Sequence, residues 1–153
     1  REPDPIVRWG GEEFLVVVRT LTGEGVESLA ERMLDAIGAQ PVEHEGRSIS
    51  TSASIGFATF PIEPMRLAVS WERAINLVDT ALYLAKAHGR NRAYGVRNLH
   101  AHDDAQLEAI GRSLEQAWRE GEVALTLLRG PAAAEAPTTI TEAARVAAVV
   151  VPA

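Results

Sequence analysis

The chain has 153 residues, 46% of them hydrophobic and 24% charged, and a formal net charge of −6. That length suits one compact domain with a sizeable core, and the composition is ordinary for a soluble globular fold. Cysteine is absent, which excludes disulfides, thiolate zinc sites and cysteine nucleophiles. The acidic balance argues against a nucleic-acid polymer as partner, because duplex binding needs a cationic face. The longest apolar runs, such as Val146 to Val151, are too short to span a bilayer. The sequence opens at Arg1 with no initiator Met and no signal-type segment, and so reads as a piece of something longer.

Residues 6–18 read as a hairpin with Gly10-Gly11 at its turn, since glycine tolerates the positive φ that primed turns require. Phe14 to Val18 is apolar on both faces and belongs inside a covered sheet. A loop at Thr22 to Gly25 leads to a helix over 26–38, where Val26, Leu29, Ala30, Met33, Leu34 and Ile37 form one stripe and Gly38 and Pro41 end it. A second hairpin over 42–60 turns at Glu45-Gly46. Its long strand alternates Ile49, Thr51, Ala53, Ile55 and Phe57 against Ser48, Ser50, Ser52 and Ser54, a face expected to be open or loosely covered.

The spacing predicts a helix over 71–88, N-capped by Ser70, with Trp71, Ala74, Ile75, Val78, Leu82 and Ala85 inward and Gly89 after its end. Ala93 to Val96 is a short closing strand. A further helix covers 104–119, opened by an Asp103/Gln106 capping box and stopped by Gly121, with Leu107, Ile110, Leu114, Ala117 and Trp118 as its stripe. Glu122 to Leu128 suits one more strand. From Gly130 the Ala/Pro/Thr-rich sequence reads as a low-complexity tail, with a weak helix near 141–148.

Two segments carry chemistry. In Arg8-Trp9-Gly10-Gly11-Glu12-Glu13-Phe14, two glycines let a backbone approach a phosphate closely, and two carboxylates follow at the tip of a rigid hairpin. Carboxylate oxygens suit Mg²⁺, which commonly bridges protein acids to substrate phosphates; a plain tight turn with solvated acids fits the spacing equally well. In Ala81 to Arg92, Lys86 and Arg90 lie four apart and can face one way across a helix terminus. Taken alone, that cluster reads first as basic residues satisfying a helix end. His44, His88, His100 and His102 make no ligand set.

Together these segments resemble the GGDEF family of diguanylate cyclases. The signature stands as Gly10-Gly11-Glu12-Glu13-Phe14, Ser52 to Ala58 resembles the family's S-I-G-x-A strand, and Ala81-Leu82-Tyr83 through Gly89-Arg90-Asn91-Arg92 resembles its A-L-Y-x-A-K-x-x-G-R-N helix end. The resemblance covers about residues 1–96, read as the C-terminal part of such a domain; 97–129 is then a helical extension and 130–153 a flexible tail. It implies an α/β fold of the palm type, with an antiparallel-rich central sheet flanked by helices. The family's N-terminal elements would be missing, leaving a sheet edge or helix-binding face uncovered.

By the same resemblance, two GTP molecules held on two facing subunits condense to cyclic di-GMP with release of two pyrophosphates, using Mg²⁺ or Mn²⁺. Glu12 and Glu13 would be metal ligands, with Glu13 also a catalytic candidate beside the 3′-hydroxyl. Gly10 and Gly11 would give the phosphates room, and Lys86 and Arg90 would bind the triphosphate and stabilise the leaving group. Arg1 and Asp4 resemble the R-x-x-D of the family's product-inhibition site, with Arg32 as its second arginine, so that cyclic di-GMP would also act as feedback inhibitor. The implied setting is cytoplasmic, behind an upstream sensor region that can anchor the parent protein in the inner membrane. The family's first metal-binding aspartate and guanine-reading residues are not in this sequence, so the piece alone is expected to be inactive. The alternative is a non-catalytic module of the same family that binds cyclic di-GMP or GTP.

Overall fold

The computed structural model describes residues 4–19, 25–64 and 68–132, and the backbone of 142–150. Among these the elements run β1 (Ile6–Gly10), β2 (Glu13–Val18), α1 (Val26–Gly38), β3 (Val42–His44), β4 (Arg47–Ile49), β5 (Thr51–Thr59), α2 (Trp71–Ala87), β6 (Arg92–Arg97), α3 (Asp104–Arg112), α4 (Leu114–Glu120), β7 (Ala124–Arg129) and β8 (Glu142–Val150). Six strands make one sheet in the order β1-β2-β8-β5-β6-β7, and β3-β4 is a separate ribbon.

The fold is α/β, as expected, and its sheet is mixed. The β1–β2 and β6–β7 pairs are antiparallel, whereas β2–β8, β8–β5 and β5–β6 are parallel. The antiparallel pairs are the β1–β2 hairpin and β6–β7, which α3 and α4 connect, so antiparallel pairing is confined to the edges; a helix between β5 and β6 returns the chain to the same end of the sheet and gives parallel pairing. The weak helix expected near 141–148 is instead strand β8. It occupies the interior position between β2 and β5, where its backbone bonds on both sides. That position is therefore filled, and the open sides of the sheet are β1 and β7. The segments beyond residue 96 thus add two strands to the sheet that the signature strands belong to.

α1 covers one face. Val26, Ala30 and Leu34 pack there on Val16, Val18, Ala53, Ile55, Phe57 and Ala93. α2, backed by α3 and α4, covers the other, with Leu15, Ala58, Tyr94 and Val96 beneath it. The serine side of β5 is therefore shut at Ser54, which is 1% exposed, while Ser52 is half-buried. The reason is Gly56, where a Cβ would stand 2.1 Å from the Val78 carbonyl oxygen and 2.4 Å from the Leu82 nitrogen, so only glycine lets α2 lie flush on the strand.

α2 begins at the expected cap, Ser70 Oγ accepting from the Arg73 amide at 3.4 Å. Trp71, read as part of the buried stripe, is 44% exposed, while Leu77 and Leu84 are buried. A helix packed on a sheet and on two further helices buries a wider arc than one stripe predicts. The helix expected over 104–119 is two, broken at Ser113 (φ −137°, ψ 51°). Asp103 caps as read, accepting from the Gln106 amide at 2.8 Å, whereas Gln106 Oε1 reaches one residue past the cap and accepts from the His102 amide at 3.0 Å. Gly121 closes α4 with φ +79°. The ribbon turns at Glu45-Gly46, both left-handed as expected, but β5 is a separate strand that starts at Thr51.

Candidate functional site

The β1–β2 turn falls one residue later than the sequence suggests. Gly10 still pairs with Glu13, leaving Gly11 and Glu12 at the tip. Gly11 has φ +53°, so the conformation itself requires glycine there. The Arg8 side chain braces the bend, its Nε donating to the Gly11 carbonyl at 2.8 Å. A Cβ built on Gly10 or Gly11 meets nothing within 4 Å, so space above the turn is open. Glu12 is exposed and Glu13 half-buried.

Glu13 lies on the side of β2 that faces α2. There Lys86 Nζ donates to Glu13 Oε1 at 3.0 Å, across 73 residues of sequence, with the two side chains 18% and 31% exposed. The sequence-predicted acid and base are thus brought together. Beyond α2, Gly89, Arg90 and Asn91 all adopt positive φ, +111°, +59° and +47°. This sharp turn presents Arg90 at the surface, and Arg92 Nε fixes it by donating to the Arg90 carbonyl at 2.9 Å. Asn91 is structural: its Nδ2 donates to the Pro131 carbonyl at 2.8 Å, and its own carbonyl accepts from the Gly130 amide at 2.9 Å.

Sequence reasoning missed a cleft of about 220 Å³ between the hairpin and α2, lined by Trp9, Glu13, Leu15, Ile75, Asn76 and Asp79. Trp9 is 59% exposed, an aromatic surface beside the acid. A larger cavity of about 400 Å³ lies between α2 and α3. Its cations already meet acids, Arg73 with Asp104 and Arg112 with Glu108, each at 2.7 Å.

Among the described residues no group of three or more Asp, Glu, His or Cys side chains gathers. Glu12 and Glu13 supply two adjacent carboxylates, and Mg²⁺ commonly takes one or two protein carboxylates plus substrate phosphates. Glu12 at the turn tip and Glu13 on β2 are the carboxylates the hairpin offers for that shared role. Of the proposed product-site residues, Arg1 lies outside the described residues. Asp4 Oδ1 accepts from the Arg19 amide at 3.2 Å, and Arg32 is exposed on α1. The loop expected over Thr22 to Gly25 lies outside the described residues up to Gly25. No helix among the described residues is long and apolar enough to cross a membrane.

An open glycine turn carries two adjacent acids, one of them paired with Lys86 near the C-terminal end of α2, on a mixed α/β sheet. The family described as "Diguanylate cyclase, GGDEF domain" matches residues 1–92, and the chain belongs to it. It is 32% identical over 92 residues to Diguanylate cyclase A of Treponema denticola, covering 60% of this chain and 24% of that protein. It is 36% identical over 93 residues to Diguanylate cyclase DosC of Escherichia coli (60% and 19%) and 40% identical over 92 residues to Diguanylate cyclase DgcP of Pseudomonas aeruginosa (60% and 13%). The chain thus spans a quarter or less of the length of these relatives. No solved structure matches.

Proposed function

We propose that this chain is the signature-bearing part of a diguanylate cyclase and holds the phosphates of GTP between the Gly10-Gly11-Glu12-Glu13 turn and the α2 end. The observation that carries the reading is the 3.0 Å Lys86–Glu13 pair, which joins the two motifs at one place. In the reaction the 3′-oxygen of one GTP attacks the α-phosphorus of a second, held by a facing subunit, and the bond to pyrophosphate breaks. Two such steps give cyclic di-GMP and two pyrophosphates. Lys86 and Arg90 stabilise charge on the triphosphate and on the departing pyrophosphate. The open backbone at Gly10 and Gly11 leaves room for the phosphates, and Glu13 would accept the hydroxyl proton. Glu12 and Glu13 would hold Mg²⁺ or Mn²⁺, which when bound neutralises phosphate charge. Arg1, Asp4 and Arg32 would form the inhibitory product site. The domain would work in the cytoplasm, where GTP is available, under an upstream sensor region.

With only one acid pair at the turn, the purified chain is expected to bind GTP while forming no cyclic di-GMP with GTP and Mg²⁺. Calorimetry should show GTP binding weakened about tenfold or more in Lys86→Gln, the loss of one charged hydrogen bond. Absence of GTP binding by the unaltered chain sinks the reading, and abundant product overturns the expected inactivity. The small donor set also favours a second reading, a module that binds cyclic di-GMP without turnover. Titration with cyclic di-GMP tests it: Asp4→Ala should abolish binding, and equal binding by both proteins rejects the assigned product site.

A further inference from the structure

The turn that presents Arg90 is held from outside the family-matched region. Gly89, Arg90 and Asn91 are three successive left-handed residues, and two of them carry side chains. Such a backbone persists only where its surroundings over-determine it. The Arg90 amide on the Ala85 carbonyl and Arg92 Nε on the Arg90 carbonyl, each at 2.9 Å, do part of this. The rest comes from Gly130 and Pro131, which the pairing of Arg92 with Arg129 brings alongside. The Gly130 amide donates to the Asn91 carbonyl and the Pro131 carbonyl accepts from Asn91 Nδ2, so both the backbone and the side chain of Asn91 are gripped. A Cβ at Gly130 would stand 2.0 Å from Asn91 Oδ1 and 3.1 Å from the Asn91 carbonyl oxygen, so glycine alone permits the approach. Pro131 is itself lodged at the end of α1, where a Cβ at Gly38 would meet its Cγ at 2.8 Å. The approach is kept although Asn91 Oδ1 is buried with no hydrogen-bond partner among the described residues, a state native proteins rarely tolerate.

We propose that Gly130 and Pro131 are positioning residues for Arg90, so that the phosphate contact at the α2 end depends on chain beyond the family-matched residues 1–92. The proposal rests on the reading of Arg90 as a phosphate ligand given above. The exposed Arg90 side chain makes no ion pair or hydrogen bond among the described residues, so the backbone of the turn sets its direction. With Asn91 released, the left-handed backbone relaxes and the guanidinium points elsewhere. A ligand group held out of place forfeits the advantage of orientation.

The test is calorimetric titration of the full 153-residue chain with GTP, in a double-mutant cycle between Gly130→Ala and Arg90→Gln. Arg90→Gln is expected to weaken binding about tenfold and Gly130→Ala severalfold, while the double variant binds no more weakly than Arg90→Gln alone. A loss unrelated to Arg90 would persist in that background, and such additivity overturns the proposal. Unchanged affinity in Gly130→Ala, beside a loss in Arg90→Gln, also overturns it and leaves the phosphate reading intact. If Lys86→Gln loses affinity and Arg90→Gln does not, Arg90 is no ligand and the proposal fails alone; if neither loses affinity, the phosphate reading itself fails. Ser70→Ala, which loosens the opposite end of α2, should match the unaltered chain, and a loss there as large as that of Gly130→Ala makes the effect one of general stability and rejects the positioning role. Should Gly130→Ala not fold, as judged by circular dichroism, Asn91→Gly takes its place in the cycle, because it removes the gripped side chain and keeps the left-handed conformation accessible.

Discussion

α2 carries an ion pair at each end, and the two differ in kind. Near its C-terminus Lys86 reaches across to the sheet and meets Glu13, with both side chains largely shielded. At its N-terminus Arg73 meets Asp104 of α3 at 2.7 Å, with side-chain exposures of 31% and 63%. That second contact raises the Arg73 pKa, chiefly through its hydrogen bond to Asp104, yet it is open to water and joins two helices that already share apolar packing. The first joins elements 73 residues apart beside an open turn and a cleft. Proximity of opposite charges is therefore a poor marker of a site by itself; shielding, long-range origin and open space beside the pair distinguish the end proposed to hold the ligand.

The comparison breaks most severely at Gly56, which seats the middle of α2. Gly56→Ala would drive a methyl into the helix backbone at 2.1 Å, and overpacking of this kind costs about 3 kcal/mol or more. Urea unfolding should show that loss together with loss of GTP binding, because both ends of the helix move. Ser70→Ala removes the cap at the Arg73 end and should cost about 1 kcal/mol in the same assay. The Glu72 carboxyl is held below its usual pKa by its backbone hydrogen bond and then by Ser70. A carboxyl lowered in this way contributes stability above the ordinary carboxylate range and loses it as pH falls through its folded pKa. The capping variant should therefore show a smaller stability decline on acidification. Arg73→Ala is expected to have the smallest effect, a loss seen at low salt that fades at high salt, with GTP binding unchanged; impaired binding would erase the contrast between the two ends.

Much of the site was legible because its parts are local. Gly11 at a left-handed turn, acids beside it, and Lys86 four residues before Arg90 are all visible in short windows, and the turn was misplaced by only one residue. The family resemblance assigned the acids and Lys86 to one triphosphate, but the direct pairing of Glu13 with Lys86 was not read, since no periodicity links residues so distant. Asn91 was read as part of a motif without its task, because its partner Pro131 lies 40 residues on. The serine face of β5 was misjudged at Ser54, which looks solvent-facing, whereas Gly56 lets a helix backbone lie close on the strand beside it.

The amino-acid sequence by itself determined the two helices of the first hundred residues, the Ser70 cap, the Glu45-Gly46 turn and most of the apolar stripes, since each depends on contacts within a turn or two of chain. Only the tertiary structure decided the fate of Glu142 to Val150. Alanine favours a helix and valine a strand, so that segment has no firm local preference. The unpaired backbone of β2 on one side and β5 on the other settles it, because hydrogen bonds left open along two strand edges are satisfied only by a strand between them.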